Sequence, residues 1–226
     1  MTTFVLVHGA WHGGWCWQRV TRRLQNAGHV VYAPSLTGLA DRSHMLSETV
    51  DLSTHIADVV NLIRWEDLSD VVLCGHSYGG MVVTGAADQL HTRVRALVYL
   101  DAFVPRDGES SLSLRRASPD SQHRVAKPAP PAANFGLTGD DATWVDAKTT
   151  PQPLAAGNEP IRLSGASLSV PKTYVLATGW HSNPHFADSY ERALSDPHWI
   201  AVTVDGSHDL MIDRPDDVVA ILLGRA

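Results

Sequence analysis

Residues 71–84 read Val71-Val72-Leu73-Cys74-Gly75-His76-Ser77-Tyr78-Gly79-Gly80-Met81-Val82-Val83-Thr84, and the reading of this stretch decides the fold. An apolar run of strand type enters a Gly-x-Ser-x-Gly pentapeptide and leaves through a helix-compatible segment, the context of a serine held on a tight strand-to-helix turn. Such a nucleophile elbow strains the serine backbone and has no room for side chains two residues away on either side, which accounts for Gly75 and Gly79. The turn lifts the Ser77 hydroxyl above the sheet edge. The amide of Tyr78, at the start of the following helix, is placed to stabilise an oxyanion.

Outward from the elbow, short apolar runs bounded by Gly or Pro alternate with helical patterns. This is the rhythm of an α/β fold with a doubly wound, mainly parallel sheet covered on both faces. Strands are expected at Phe4–Val7, Val30–Ala33, Val71–Cys74, Ala96–Leu100, Val170–Ala177 and Trp199–Val204. Helices are expected at Trp17–Ala27, from a cap at Asp51 or Ser53 to about Trp65, from Ser77 to about Leu90, and at Pro215–Leu223 with Asp213 as cap. From about Pro105 to Ser169 the rhythm breaks. The stretch holds Lys127-Pro128-Ala129-Pro130-Pro131 and only modest apolar periodicity near Trp144 and Val145. A structureless connection of that length is unusual inside a compact domain, so it is read as a small lid inserted above Ser77, with a loosely ordered surface excursion as the alternative.

The 226 residues suit one domain. A hydrophobic fraction of 44%, a charged fraction of 19% and a net charge of −6 are those of an ordinary globular protein and give no basic tract for nucleic acid or a membrane. Met1-Thr2-Thr3 runs straight into the first strand without a targeting pattern, so a cytoplasmic location with Cys16 and Cys74 as reduced thiols is expected. The expected partner is a small-molecule substrate, and a homodimer is left open.

A serine hydroxyl needs a base within hydrogen-bond reach. Of the 12 histidines, His208 is the one that follows a strand by the short turn Asp205-Gly206-Ser207 and precedes the terminal helix, which puts it on the sheet edge that carries Ser77. His76 fills the variable position of the elbow. His181 and His185 have i, i+4 spacing but enclose Pro184 and no Glu, so no metal or other cofactor is assigned. A second oxyanion donor is expected from His8-Gly9-Ala10-Trp11-His12-Gly13-Gly14, with Ala10 paired to Tyr78. Trp11, Tyr78, Phe103, Trp144 and Trp180 are candidates for the pocket wall; packing in the core or lid is the alternative for each.

The stretch from Val5 to Trp15, the elbow from Gly75 to Gly80, and the turn Gly206-Ser207-His208 together resemble the α/β-hydrolase superfamily, in the branch of plant-type methylesterases and hydroxynitrile lyases with their bacterial esterase relatives. The likeness runs over nearly the whole chain and is weakest through the lid. In that branch the triad carboxylate follows the strand equivalent to Val170–Ala177. Here the segment reads Thr178-Gly179-Trp180-His181-Ser182, and Trp180 stands about where Asp belongs. Some other members, among them certain haloalkane dehalogenases, carry the acid one strand earlier, and Asp101, 24 residues past Ser77, fills that place. Asp205 looks tied to its turn, and Asp209 is expected to face the following helix. A serine-histidine pair helped by a backbone carbonyl is the alternative to an Asp101 triad.

The resemblance implies a serine hydrolase of small carboxylic esters, extending to carbamates or activated amides. Two other classes compete with it. Hydroxynitrile lyases of the branch use a hydroxyl residue and a lysine where this chain has Gly9 and Asp209, and an anion beside the base would repel cyanide. A non-catalytic ligand-binding homologue would not need both Ser77 and His208.

Overall fold

A computed structural model of the protein describes residues 1–181 and 184–226. In chain order the elements are β1 (Thr3–Val7), α1 (Gln18–Asn26), β2 (Val30–Tyr32), α2 (Leu52–Trp65), β3 (Val71–His76), α3 (Gly79–Leu90) and β4 (Val94–Leu100). Then come α4 (Ser111–Leu114), β5 (Ala126–Lys127), α5 (Gly139–Asp146), β6 (Gln152–Pro153) and α6 (Leu154–Asn158). The chain finishes with β7 (Lys172–Ala177), α7 (Pro184–Ser195), β8 (Trp199–Val204), α8 (Leu210–Asp213) and α9 (Pro215–Leu223). Six strands form one sheet in the order β2-β1-β3-β4-β7-β8, with every neighbouring pair parallel.

Alternation along the strands sends side chains to two cores. Val5, Val7, Leu73, Leu97 and Tyr99 pack under α2, α3 and α7. Phe4, Leu6, Val72, Cys74, Val98 and Leu100 pack on the other face with α1 and α9. Cys16 and Cys74 are both free thiols buried in that second core. Helix α2 starts where the sequence places it, because Asp51 Oδ1 accepts the Thr54 N–H at 2.8 Å and satisfies an open first-turn donor.

Register fixes the working edge of the sheet. His76 pairs with Leu100, Leu100 with Val175, and Ala177 with Val204. The chain segments that leave β1, β3, β4, β7 and β8 therefore converge at the carboxyl ends of the strands, where parallel α/β sheets bind ligands. Residues 105–169 lie between the neighbouring strands β4 and β7 and contain the antiparallel β5-β6 pair as well as α4, α5 and α6. Near the end of this segment the Asp88 carboxylate of α3 accepts the amides of Ser164, Gly165 and Ser167 at 2.6–3.2 Å, which ties it to the sheet layer.

One element was unanticipated and one local expectation needs correction. The periodicity did not reveal α7, because that helix buries only Phe186, Ser189 and Ala193 and so carries a narrow stripe of mostly small residues. Asp213 does not cap α9: its Oδ2 accepts the Ser207 N–H at 2.8 Å, and Arg214 takes the position before the helix. Among the described residues no helix is long and apolar enough to cross a membrane.

Candidate active site

Ser77 leaves β3 with φ of +52°, in the left-handed region that a non-glycine residue occupies only under constraint. A Cβ on Gly75 would meet the Gly79 carbonyl oxygen at 2.6 Å, and one on Gly79 would meet the His8 and Val7 oxygens at 2.7 Å. The turn is thus closed to side chains on both sides, as the sequence required. The Ser77 N–H donates to Leu100 O at 3.2 Å, and Ser77 O accepts from Phe103 N at 3.1 Å. The elbow is bound in this way to the end of the neighbouring strand.

That strand end carries Asp101, a second non-glycine residue at positive φ, +43°. Its side chain is fully buried. Oδ1 accepts the Ala177 N–H at 3.2 Å, while Oδ2 accepts His208 Nδ1–H at 2.6 Å and Trp180 Nε1–H at 3.0 Å. A carboxylate can only accept, so His208 carries its proton on Nδ1 and leaves Nε2 with a lone pair. The backbone of His208 is anchored by its own N–H on Phe135 O at 2.9 Å. Its ring is boxed by Trp180 (4.6 Å between centroids), Phe186 (5.3 Å, stacked) and Phe135 (5.6 Å).

After β1, His8 shapes the glycine-rich loop. Its Nε2 accepts the Leu36 N–H at 3.0 Å, so the proton sits on Nδ1 and is donated to Gly9 O at 2.8 Å. Burial depresses the His8 pKa to about 3, which keeps the ring neutral and this tautomer fixed. Gly9 O and the Ala10 N–H belong to one peptide plane, so holding the oxygen also aims the amide. Among the described residues neither the Ala10 N–H nor the Tyr78 N–H has an acceptor. Gly9 is packed closely: a Cβ there would stand 2.8 Å from His76 Nδ1 and 2.9 Å from Ser77 Cβ.

Asp209 does not face the following helix. It is fully buried and lies 3.5 Å from His12 Nε2 and 3.6 Å from His76 Nε2. Burial opposes its ionisation, but the His12 ring beside it outweighs that and holds the carboxyl well below the usual range. Burial likewise opposes protonation of His12, and the Asp209 charge more than compensates, raising its pKa above the ordinary imidazole value. His76 is more than a filler of the elbow. Its Nε2–H donates to the His208 carbonyl at 3.0 Å, and burial pushes its pKa well down, so it is neutral.

Above the strand ends lies a cavity of about 380 Å³ lined by Ser77, His208, Ala10 and Tyr78 together with Trp11, Phe103 and Trp180. The volume suits a small organic molecule. Asp209 is absent from its wall, so the anion is screened from the cavity by the protein. Trp144 is also absent and needs correction as a wall residue: it packs edge-on to Trp15 at 5.0 Å with the Arg19 guanidinium 5.5 Å above it, because α5 covers the other face of the sheet. Tyr78 turns its phenol away, donating to His55 Nδ1 at 2.9 Å, since His55 Nε2–H is committed to Thr37 O. No group of three or more His, Cys, Asp or Glu suited to a metal occurs among the described residues.

The sequence profile of the Alpha/beta hydrolase family matches residues 4–221. The chain belongs to this family. It is 41% identical over 238 residues to the carbendazim hydrolyzing esterase of Nocardioides sp. (strain SG-4G), covering 96% of this chain and 97% of that one. It is also 36% identical over 104 residues to methylesterase 7 of Arabidopsis thaliana, a match spanning 45% of this chain and 40% of the relative. An extracellular α/β-hydrolase from a Paenibacillus species has the same fold, with a TM-score of 0.83 at 24% identity over 100% of this chain and 99% of that chain.

In this α/β-hydrolase the 105–169 segment supplies the larger part of the cavity wall, including Leu112, Arg115, Phe135 and Leu154. Sequence reasoning named none of these. Phe135 lies on a single 3₁₀ turn and Arg115 at the end of a four-residue helix, elements too short to carry a periodic signal. Phe186 was missed along with α7.

Proposed function

We propose that this α/β-hydrolase cleaves small carboxylic esters, including carbamates, through Ser77, His208 and Asp101. One observation carries the reading: the 2.6 Å bond from His208 Nδ1 to the buried Asp101 carboxylate leaves Nε2 basic in the cavity that Ser77 also lines. Ser77 Oγ attacks the carbonyl carbon as His208 Nε2 takes its proton. The oxyanion is received by the N–H groups of Ala10 and Tyr78, which have no acceptor among the described residues. The imidazolium then protonates the departing alcohol or amine, and water, deprotonated by the same nitrogen, releases the acid from the acyl-enzyme. Asp101 holds the tautomer and stabilises the imidazolium. The segment at 105–169 acts as the lid that excludes solvent from this exchange.

The 41% identity to an esterase across almost the whole of both chains supports ester hydrolysis, and carbendazim heads the assay panel for that reason. Cyanohydrin cleavage finds no support at Gly9, where a hydroxyl-bearing side chain has no space beside His76 and Ser77. The test is a panel of aryl and alkyl esters, carbamates and anilides, run alongside fluorophosphonate labelling. Turnover with stoichiometric modification of Ser77 is expected. A folded protein that leaves every ester intact and takes no label would be a binding module instead.

A further inference from the structure

Behind the triad, facing away from the cavity, lies a charged group that the chemistry above leaves unused. Asp209 follows the base directly in sequence, has no exposed surface, and neither of its carboxylate oxygens receives a close hydrogen bond among the described residues. A buried carboxylate left in that state costs several kcal/mol unless an opposite charge sits beside it. No Arg or Lys is paired with it among the described residues. The groups facing it are His12 from the loop after β1, His76 from the end of β3, His208 from its own loop and the Cys16 thiol.

Hydrogen-bond partners assign the protons. His76 has its Nε2–H committed to His208 O, and its buried Nδ1 has no acceptor among the described residues to hold a second proton, so it supplies no charge. His12 Nδ1 lies 2.8 Å from Ala10 O, which can only accept, so that nitrogen bears a proton. The other nitrogen, Nε2, points at Asp209 from 3.5 Å with no other partner. A lone pair there would set two acceptors against each other in a dry interior; a second proton turns the contact into an ion pair. The Trp15 ring stacked on His12 at 5.3 Å presents its face to that cation.

We propose that Asp209 and His12 form a buried carboxylate–imidazolium clasp joining the loop of the base to the loop of the oxyanion donor, and that both are positioning residues for turnover. The inference rests on the serine-hydrolase reading. Asp209 anchors the backbone just after His208, and His12 grips the carbonyl of Ala10, the residue whose own amide receives the oxyanion. The ion pair thereby fixes the separation of the two elements whose spacing the transition state requires. Neither residue touches substrate.

The experiment is nitrogen NMR of histidine-labelled protein with His12→Gln as the assignment control, read together with steady-state kinetics and fluorophosphonate labelling of Ser77. At pH 8 the wild type should show both His12 nitrogens protonated, and Asp209→Asn should return that ring to the neutral form. The same variant should lose kcat about tenfold with KM changed less than about twofold, since positioning rather than binding is lost. His12→Gln in the Asp209→Asn background should add little, because one interaction cannot be removed twice. A neutral His12 at pH 8 in wild type that labels normally overturns the clasp alone, and this readout stands even if a variant fails to fold. Wild-type kcat in folded Asp209→Asn also overturns it. An imidazolium at His12 in protein that never takes the label at Ser77 would instead overturn the hydrolase reading and the kinetic role that depends on it.

Discussion

Trp180 donates its indole N–H to Asp101 Oδ2 at 3.0 Å, the same oxygen that receives His208 Nδ1–H at 2.6 Å. The residue standing where the resembled branch keeps its acid therefore donates to the carboxylate proposed here as the acid, one strand away. Trp180→Phe keeps the ring against His208 and removes only the donor. A hydrogen bond to a charged group is worth about 1.5 kcal/mol or more, so kcat/KM for the best ester should fall about tenfold with the fold intact. An unchanged kcat/KM would reduce the tryptophan to a packing role.

Asp101→Asn replaces the acceptor that fixes the His208 tautomer. Its kcat should drop on the order of 10,000-fold, while Ser77→Ala and His208→Ala lose more, on the order of a millionfold. Near-normal turnover in Asp101→Asn would take that residue out of the triad.

Gly9→Thr introduces the hydroxyl residue that the lyases of the branch carry. The new Cβ collides with His76 Nδ1 and Ser77 Cβ, so the variant should lose roughly a hundredfold or more in esterase kcat and gain no release of cyanide from mandelonitrile. Cyanide released by the wild type, and abolished by Ser77→Ala, would reverse the ranking of the two reactions.

Acid should unfold the protein earlier than its carboxylates alone require. Burial depresses the pKa of His8 to about 3 and also lowers those of His55 and His76 from the free value of 6.5. Below pH 6.5 the unfolded chain takes up protons that the folded rings refuse. Stability present above pH 6.5 is then lost as pH falls towards 3, at up to about 1.4 kcal/mol per pH unit for each ring. His12 runs the other way, its raised pKa favouring the folded state on acidification. Urea midpoints measured from pH 8 to pH 5 should decline once pH passes below about 6.5; a flat profile would mean that these rings are charged when folded.

Much of this was legible in the sequence for identifiable reasons. The elbow, the glycine-rich loop and the Gly206-Ser207-His208 turn are local signals, each dictated by backbone geometry within a few residues, and all arrive at one sheet edge. The six main strands were readable because their apolar runs are bounded by breakers. Asp101 required an argument about strand ends, since nothing adjacent to it in sequence reveals that Trp180 and His208 share its carboxylate. Asp209 was misread because its partner His12 is nearly the whole chain away. The wall residues of the 105–169 segment gave no signal, as their positions follow from tertiary packing of turns rather than from periodicity.

The shared oxygen of Asp101 also bears on how related proteins are sorted. Segments at the ends of β4 and β7 meet at one carboxylate oxygen beside the His208 ring, so on the proposed triad the acid's place is one that either corner could fill while the other supplies a donor. A chain scored by alignment at the β7 corner alone would be filed among the inactive homologues. Surveying both corners as one position would return such sequences to the enzymes.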